Sequence, residues 1–371
     1  RIDLEQKTMK WKNSLLCTAA MVVLAGVTCY ILLKDHSMGT LWAVLKNADL
    51  RFVLLGLFLM VLFVGCEAAV IRLLAGTWGG SVPWKRAMQY SFAGFYFSSI
   101  TPSSTGGQPM QLYYMVRDGM SAARSSFALL TITAMYQLMA LAYGVGMGLL
   151  KFSYLMGLPL ALKLLICFGI LANGISVAFI LLILFCRPLV ERLVYRVLRL
   201  LNHFPSFDGE KAAQKAGSMI EEYSQGGAYL RKYPMAAVKT AVLTFCQLTF
   251  LYMASYCACL ALGLGSVGLV NFIMLQSIVS LAVSAVPLPG AVGASESGFL
   301  VMFSGFLSSS QLLPVMVLSR GISFYGFLVV SGLAVASLHI RKKGTPKKEK
   351  EVRSRAHGPV YKQFSVSEEL H

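Results

Sequence analysis

Long apolar runs separated by short polar connectors dominate the chain. Runs at about 13–33, 50–71, 122–150, 160–186, 235–263 and 311–338 are nearly free of charge. About 20 apolar residues in a helix cross a hydrocarbon core of roughly 30 Å, so these predict six full membrane spans. The run at 13–33 has no small-residue cleavage site and further spans follow it, which makes it a retained helix and not a signal peptide. Two more apolar stretches, about 87–118 and 268–307, are broken in the middle. SSITPSSTGGQP, from Ser98 to Pro109, interrupts the first, and VPLPGAVGASES, from Val286 to Ser297, the second. That gives eight hydrophobic segments, with polar sequence at 187–234 and 341–371.

Lys and Arg orient these segments. The N-terminus carries Arg1, Lys7, Lys10 and Lys12. The insert carries Arg187, Arg192, Arg196, Arg199, Lys211, Lys215, Arg231 and Lys232, and the tail Arg341, Lys342, Lys343, Lys347, Lys348 and Lys350. All three are expected in the cytoplasm, and the poorer connectors near 34–49, 151–160 and 264–268 outside. Arg72, Lys85, Arg86, Arg117 and Arg124 lie inside together only if 87–118 enters and leaves from the cytoplasm. A cytoplasmic tail then requires 268–307 to enter and leave from outside. The expected fold is an all-α polytopic membrane protein of two inverted repeats, with about six full spans plus two re-entrant hairpins. Residues 1–150 hold the first repeat with hairpin 87–118. Residues 151–340 hold the second, with a cytoplasmic insert at 187–234 and hairpin 268–307, and 341–371 form a basic cytoplasmic tail. An odd number of full spans per unit inverts the second copy, as in many transporters. The alternative is an eight-span bundle with two Pro-kinked helices.

Broken backbone at membrane depth must be buried in protein or line a wet cavity. In the first hairpin Thr101, Ser103, Ser104 and Thr105 supply hydroxyls. Gly106 and Gly107 permit close approach, Gln108 and Gln111 add amides, and Arg117 a charge. The half-helix near Pro109 points free N–H groups inward, suited to a phosphate or phosphodiester. In the second hairpin Pro287, Pro289, Gly290 and Gly293 make the break, and Glu296 follows in apolar context. Glu296 and Arg320 of the last span either pair as structural glue, or an unmatched Arg320 holds a lipid phosphate. Proton coupling falls to Glu67 or Glu296; Glu67 is expected near the cytoplasmic end of its span, where snorkelling is easy. Gln137 and Gln247 read as helix–helix contacts. Arg192, Arg196 and Arg199, beside Leu193, Val197 and Leu200, read as an amphipathic helix on anionic head groups.

Composition narrows the function. The chain is 56% hydrophobic and only 13% charged, against about a quarter charged in soluble domains. A net charge of +17 carried in loops and tails points to anionic lipid and not to nucleic acid. The eight cysteines sit in or beside apolar runs without a CxxC pair, as packing residues. No His/Glu or Ser/His set and no Walker motif occurs, so neither catalytic residues, a metal nor a cofactor is expected.

TPSSTGGQPMQLYYMVRDGMS and PLPGAVGASESG resemble the flippase-like membrane domain of the lysylphosphatidylglycerol synthase/flippase (multiple peptide resistance factor) family. Thr101, Pro102, Gly106, Gly107, Pro109, Arg117 and Gly119 match its first motif; Pro287, Pro289, Gly290, Gly293 and Glu296 match its second. Many relatives carry Gly-Arg and Gly-Glu where this chain has Ser103-Ser104 and Gly107-Gln108. The resemblance implies a prokaryotic plasma-membrane protein with both termini cytoplasmic, and a role in antibiotic resistance. It implies a short form without the aminoacyltransferase domain, hence a transporter and not an enzyme. The function expected is movement of a phospholipid or lipid-linked head group between leaflets. Its lipid partner would be an anionic or lysyl-modified phospholipid or a polyprenyl-linked lipid. A soluble enzyme partner and a homo-oligomer are compatible. The alternatives are the membrane component of a lysylphosphatidylglycerol-modifying transferase system and a non-transporting scaffold.

Overall fold

The computed structural model describes residues 44–77, 80–201, 232–284 and 286–340, with single positions at 42 and 217. The predicted span at 13–33, most of the insert beyond Leu201, and the 341–371 tail lie outside the described residues. All regular structure in the described residues is helical. We number the helices α1 (Leu50–Thr77), α2 (Trp84–Ile100), α3 (Gly107–Arg117), α4 (Ala122–Leu150), α5 (Phe152–Met156) and α6 (Leu160–Phe185). There follow α7 (Arg187–Leu201), α8 (Pro234–Ala261), α9 (Leu269–Val283), α10 (Ala294–Phe303), α11 (Ser309–Arg320) and α12 (Phe327–Ile340).

Five stretches are long and apolar enough to cross a membrane: Leu50–Gly76, Arg124–Leu150, Leu160–Leu182, Pro234–Ala261 and Ser309–Ser337. They coincide with five of the six spans expected from the sequence. The last is composite: α11 passes through a wider π-helical turn, Gly321–Gly326, into α12. Both broken segments fold as helical hairpins. Tyr90 meets Asp118, and Gly94 lies against Gln111 and Gly107, so α2 and α3 are antiparallel. Phe272 packs on Phe303, and Val279 and Val283 approach Gly298, so α9 and α10 are antiparallel too. The arms are 17, 11, 15 and 10 residues long. At 1.5 Å per residue none reaches the roughly 30 Å of a hydrocarbon core.

α1 and α8 form the central pair. The Asp49 N–H donates to the Ala261 carbonyl at 2.8 Å, and Glu67 meets Gln247, so the two helices are antiparallel. A Cβ on Gly56 would lie 3.2 Å from the Ala254 carbonyl oxygen and from Cys257 Cβ, which shows how closely they approach. Hairpin α2–α3 follows the C-terminal end of α1, and hairpin α9–α10 the C-terminal end of α8. The hairpins therefore start from opposite ends of the central pair. Each lays its first arm on the last span of the other half: α2 on α12, and α9 on α4. Glycine sets the second of these contacts. Leu281 of α9 presses into Gly144 of α4, and its carbonyl oxygen lies 2.3 Å from where a Cβ on Gly169 of α6 would sit.

Candidate functional site

The two tips share their backbone over the first four residues and diverge after it, where Thr105 and Gly106 are helical but Val292 is extended and Gly293 left-handed (φ 89°). Thr101 (φ −113°, ψ 146°) and Leu288 (φ −116°, ψ 145°) are extended, and each leads into a Pro-started 3-10 turn. The next positions turn left-handed: Ser103 (φ 50°) and Ser104 (φ 56°) in one tip, Gly290 (φ 59°) and Ala291 (φ 49°) in the other. Left-handed backbone costs a non-glycine residue about 1–2 kcal/mol, and such strain persists where the surroundings enforce it, often at functional sites. Here the tips touch each other. Gly290 lies under the Phe324 ring, and Ile100 clusters with Phe324 and Leu328, so both tips reach the middle of the Ser309–Ser337 span, beside its π-turn.

The hydroxyls largely repair the broken backbone. Thr101 Oγ1 donates to the Phe97 carbonyl at 2.7 Å and accepts the Gly106 N–H at 2.8 Å; Thr105 Oγ1 donates to the Pro102 carbonyl at 2.9 Å. In the other tip the corresponding N–H, on Gly293, donates to Glu296 Oε2 at 2.6 Å. Thr101→Val keeps the shape but removes the cap, and is expected to cost about 1 kcal/mol in thermal unfolding of the detergent-solubilised protein. Ser103, Ser104, Thr105 and Gln108 remain exposed at the first tip, as do Pro287 and Leu288 at the second, while Pro289 is half-buried.

Glu296 and Arg320 form an ion pair, Nε to Oε1 at 2.8 Å, with Glu296 buried. Arg320 also donates to the Gly290 carbonyl at 3.0 Å and stacks on Phe324, and the Tyr325 hydroxyl donates to Glu296 at 3.3 Å. The pair therefore clamps the second tip to the last span. The first hairpin has a counterpart: the Gln108 amide donates to Thr133 of α4. In each half, the first turn after the tip is bridged to the span that follows.

Two expected site residues stand apart from the tips. Arg117 ends α3, ten residues from Gly107 and so roughly 15 Å away along the helix. It lies at the hairpin's base with Arg86 and Tyr90 around Asp118, its guanidinium over Tyr114. Gln111 is buried and turned away from the tip, and donates to Glu67. Glu67 does not snorkel to an end of the molecule, because Gln247, mid-way along α8, donates to its other oxygen at 3.4 Å. Gln247 thus makes a helix–helix contact, as its mid-span position suggested, whereas Thr133 takes part in a polar contact that the sequence did not assign it, since a Thr in an apolar helix gives no signal. α7 shows the amphipathic pattern, with Arg192, Arg196 and Arg199 exposed and Leu189 and Leu193 exposed beside them. A cavity of about 380 Å³ opens elsewhere, between the α5–α6 connector and the end of α10. Ser153, Tyr154, Pro159 and Ser304 help to line it, without a charged side chain, and we place no site there.

Helices long enough to span, joined to paired broken hairpins, define a multi-pass helical membrane protein. Residues 16–331 match the family described as the lysylphosphatidylglycerol synthase TM region, and the chain belongs to that family. A relative is a UPF0104 membrane protein of Archaeoglobus fulgidus, 24% identical over 344 residues that cover 87% of this chain and 97% of that protein.

Proposed function

We propose that the protein moves a lipid, or a lipid-linked head group, between the leaflets of the plasma membrane. The observation that carries this reading is the meeting of two broken hairpins, started from opposite ends, at the middle of the last span. Exposed Ser103, Ser104, Thr105 and Gln108 give a head group polar partners there, while its acyl chains stay in lipid. The matched tips and the antiparallel α1–α8 pair support two inverted repeats, whose rocking would expose the tips alternately. Basic residues support the orientation. Arg72, Lys85, Arg86, Arg117, Arg124, Lys232 and Lys239 gather at the end where α1 finishes and α8 begins, against Lys46, Arg51, Lys151 and Lys163 at the other. The positive-inside rule makes the richer end cytoplasmic. Arg86 and Arg117 then greet an anionic head group at that face, with Asp118 setting their geometry.

Reconstitution in liposomes with fluorescent anionic, cationic and zwitterionic lipids, followed by quenching of one leaflet, tests this. Accelerated exchange that is lost in Arg117→Gln for anionic lipids, and retained for zwitterionic ones, is the expected result. Exchange no faster than in empty liposomes for every lipid, with folded protein in both orientations, overturns it.

A further inference from the structure

Glu67 sits where three elements join. Gln111 of α3 and Gln247 of α8 donate to its two oxygens, and the Tyr136 phenol of α4 lies close enough to sense its charge. Glycine in the facing arm leaves the amide its room: a Cβ on Gly94 would lie 2.2 Å from Gln111 Nε2, so a larger residue there would displace the Gln111 side chain. Among the described residues no Lys or Arg pairs with Glu67. Arg72, five residues along α1, donates instead to the Val82 carbonyl at 3.0 Å and stacks on Trp84. The remaining titratable neighbours are thiols, Cys66 on α1 with Cys246 across from it on α8. Glu296 differs, since a guanidinium matches its charge. The side chains facing Glu67 are neutral, and a Gln amide can turn to present its carbonyl in place of its NH2, so either protonation state can be held without opening a salt bridge.

We propose that Glu67 is the proton-binding group of the protein, and that Gln111 passes its state of charge to the first hairpin. An ionised carboxylate accepts the Gln111 N–H strongly; the neutral acid accepts it weakly, and the hairpin's second arm is freed. The packing around Glu67 reaches the other half: Tyr252 of α8 clusters with Tyr136 and with Ile273 of α9, the first arm of the second hairpin. This coupling rests on the translocation reading, whereas the protonation itself does not.

Infrared difference spectroscopy of the purified full chain in nanodiscs, titrated with acid and base, reads the protonation directly. A protonated-carboxyl stretch that titrates in the wild type, is lost in Glu67→Gln and shifts in frequency in Gln111→Leu and Tyr136→Phe is the expected result. The two latter variants carry the test if Glu67→Gln does not fold. The same band in Glu67→Gln as in wild type, or a titration displaced by sodium but not by choline, overturns the proton assignment. In liposomes, the response of lipid exchange to a pH gradient is expected in wild type and lost in Glu67→Gln; a response that survives overturns the coupling. If no lipid moves under any condition while the band behaves as expected, the translocation reading falls and the proton site stands.

Discussion

Arg320→Ala is expected to lower the stability of the protein by about 3–5 kcal/mol, the cost of stranding a buried carboxylate. Glu296 is 3% exposed, and its Oε1 receives the Arg320 Nε at 2.8 Å. Without the guanidinium, that oxygen keeps only the longer Tyr325 contact, and the Gly290 carbonyl loses its donor as well. Glu296→Gln is milder, because Arg320 keeps the Gly290 carbonyl and the Phe324 ring. The double variant Glu296→Gln/Arg320→Met leaves no unpaired buried charge and recovers part of the loss. Thermal unfolding of the four proteins in one detergent gives the coupling energy. A loss below about 1 kcal/mol in Arg320→Ala would mean that the ion pair does not clamp the tip.

Gly290→Ala is expected to be nearly as damaging, and mainly for steric reasons. A Cβ on Gly290 would lie 2.1 Å from Phe324 Cζ, so the ring must leave its place under Arg320. Overpacking of this kind costs about 1–3 kcal/mol, and a left-handed non-glycine residue about 1–2 kcal/mol more. The two contributions can be separated. Ser103 occupies the matching position of the first tip at φ 50°, so that backbone accepts a side chain where no ring covers it. Gly290→Ser combined with Phe324→Ala therefore keeps the backbone strain and removes the collision. Measured against Phe324→Ala alone, the serine should cost less than it does facing the intact ring. Equal costs in the two backgrounds would place the loss in the backbone instead.

Much of the fold was legible because membrane burial writes itself into runs of apolar residues. The spans near 50–71, 122–150, 160–186, 235–263 and 311–338 appear where the hydropathy put them. The breaks at Pro102 and Pro289 were equally visible, since a proline removes a donor and glycine permits left-handed backbone. The site was less legible. Helical pitch, not sequence proximity, decides what a hairpin residue touches. Gln108 and Gln111 are three residues apart, yet one reaches Thr133 and the other Glu67. Arg117 looked close to the Gly-Gly pair along the chain, and a helix of 11 residues carries it to the hairpin's base. The π-turn at Gly321–Gly326 left no trace that hydropathy could report.

The bridge that recurs in the two halves is fastened unequally. Gln108 to Thr133 joins neutral partners, a hydrogen bond of the kind worth about 0.5–1.5 kcal/mol net, whereas separating Glu296 from Arg320 costs several times more. On the translocation proposed above, two hairpins latched so differently are not expected to part from their spans together: the first, with the weaker bridge, would move while the second holds.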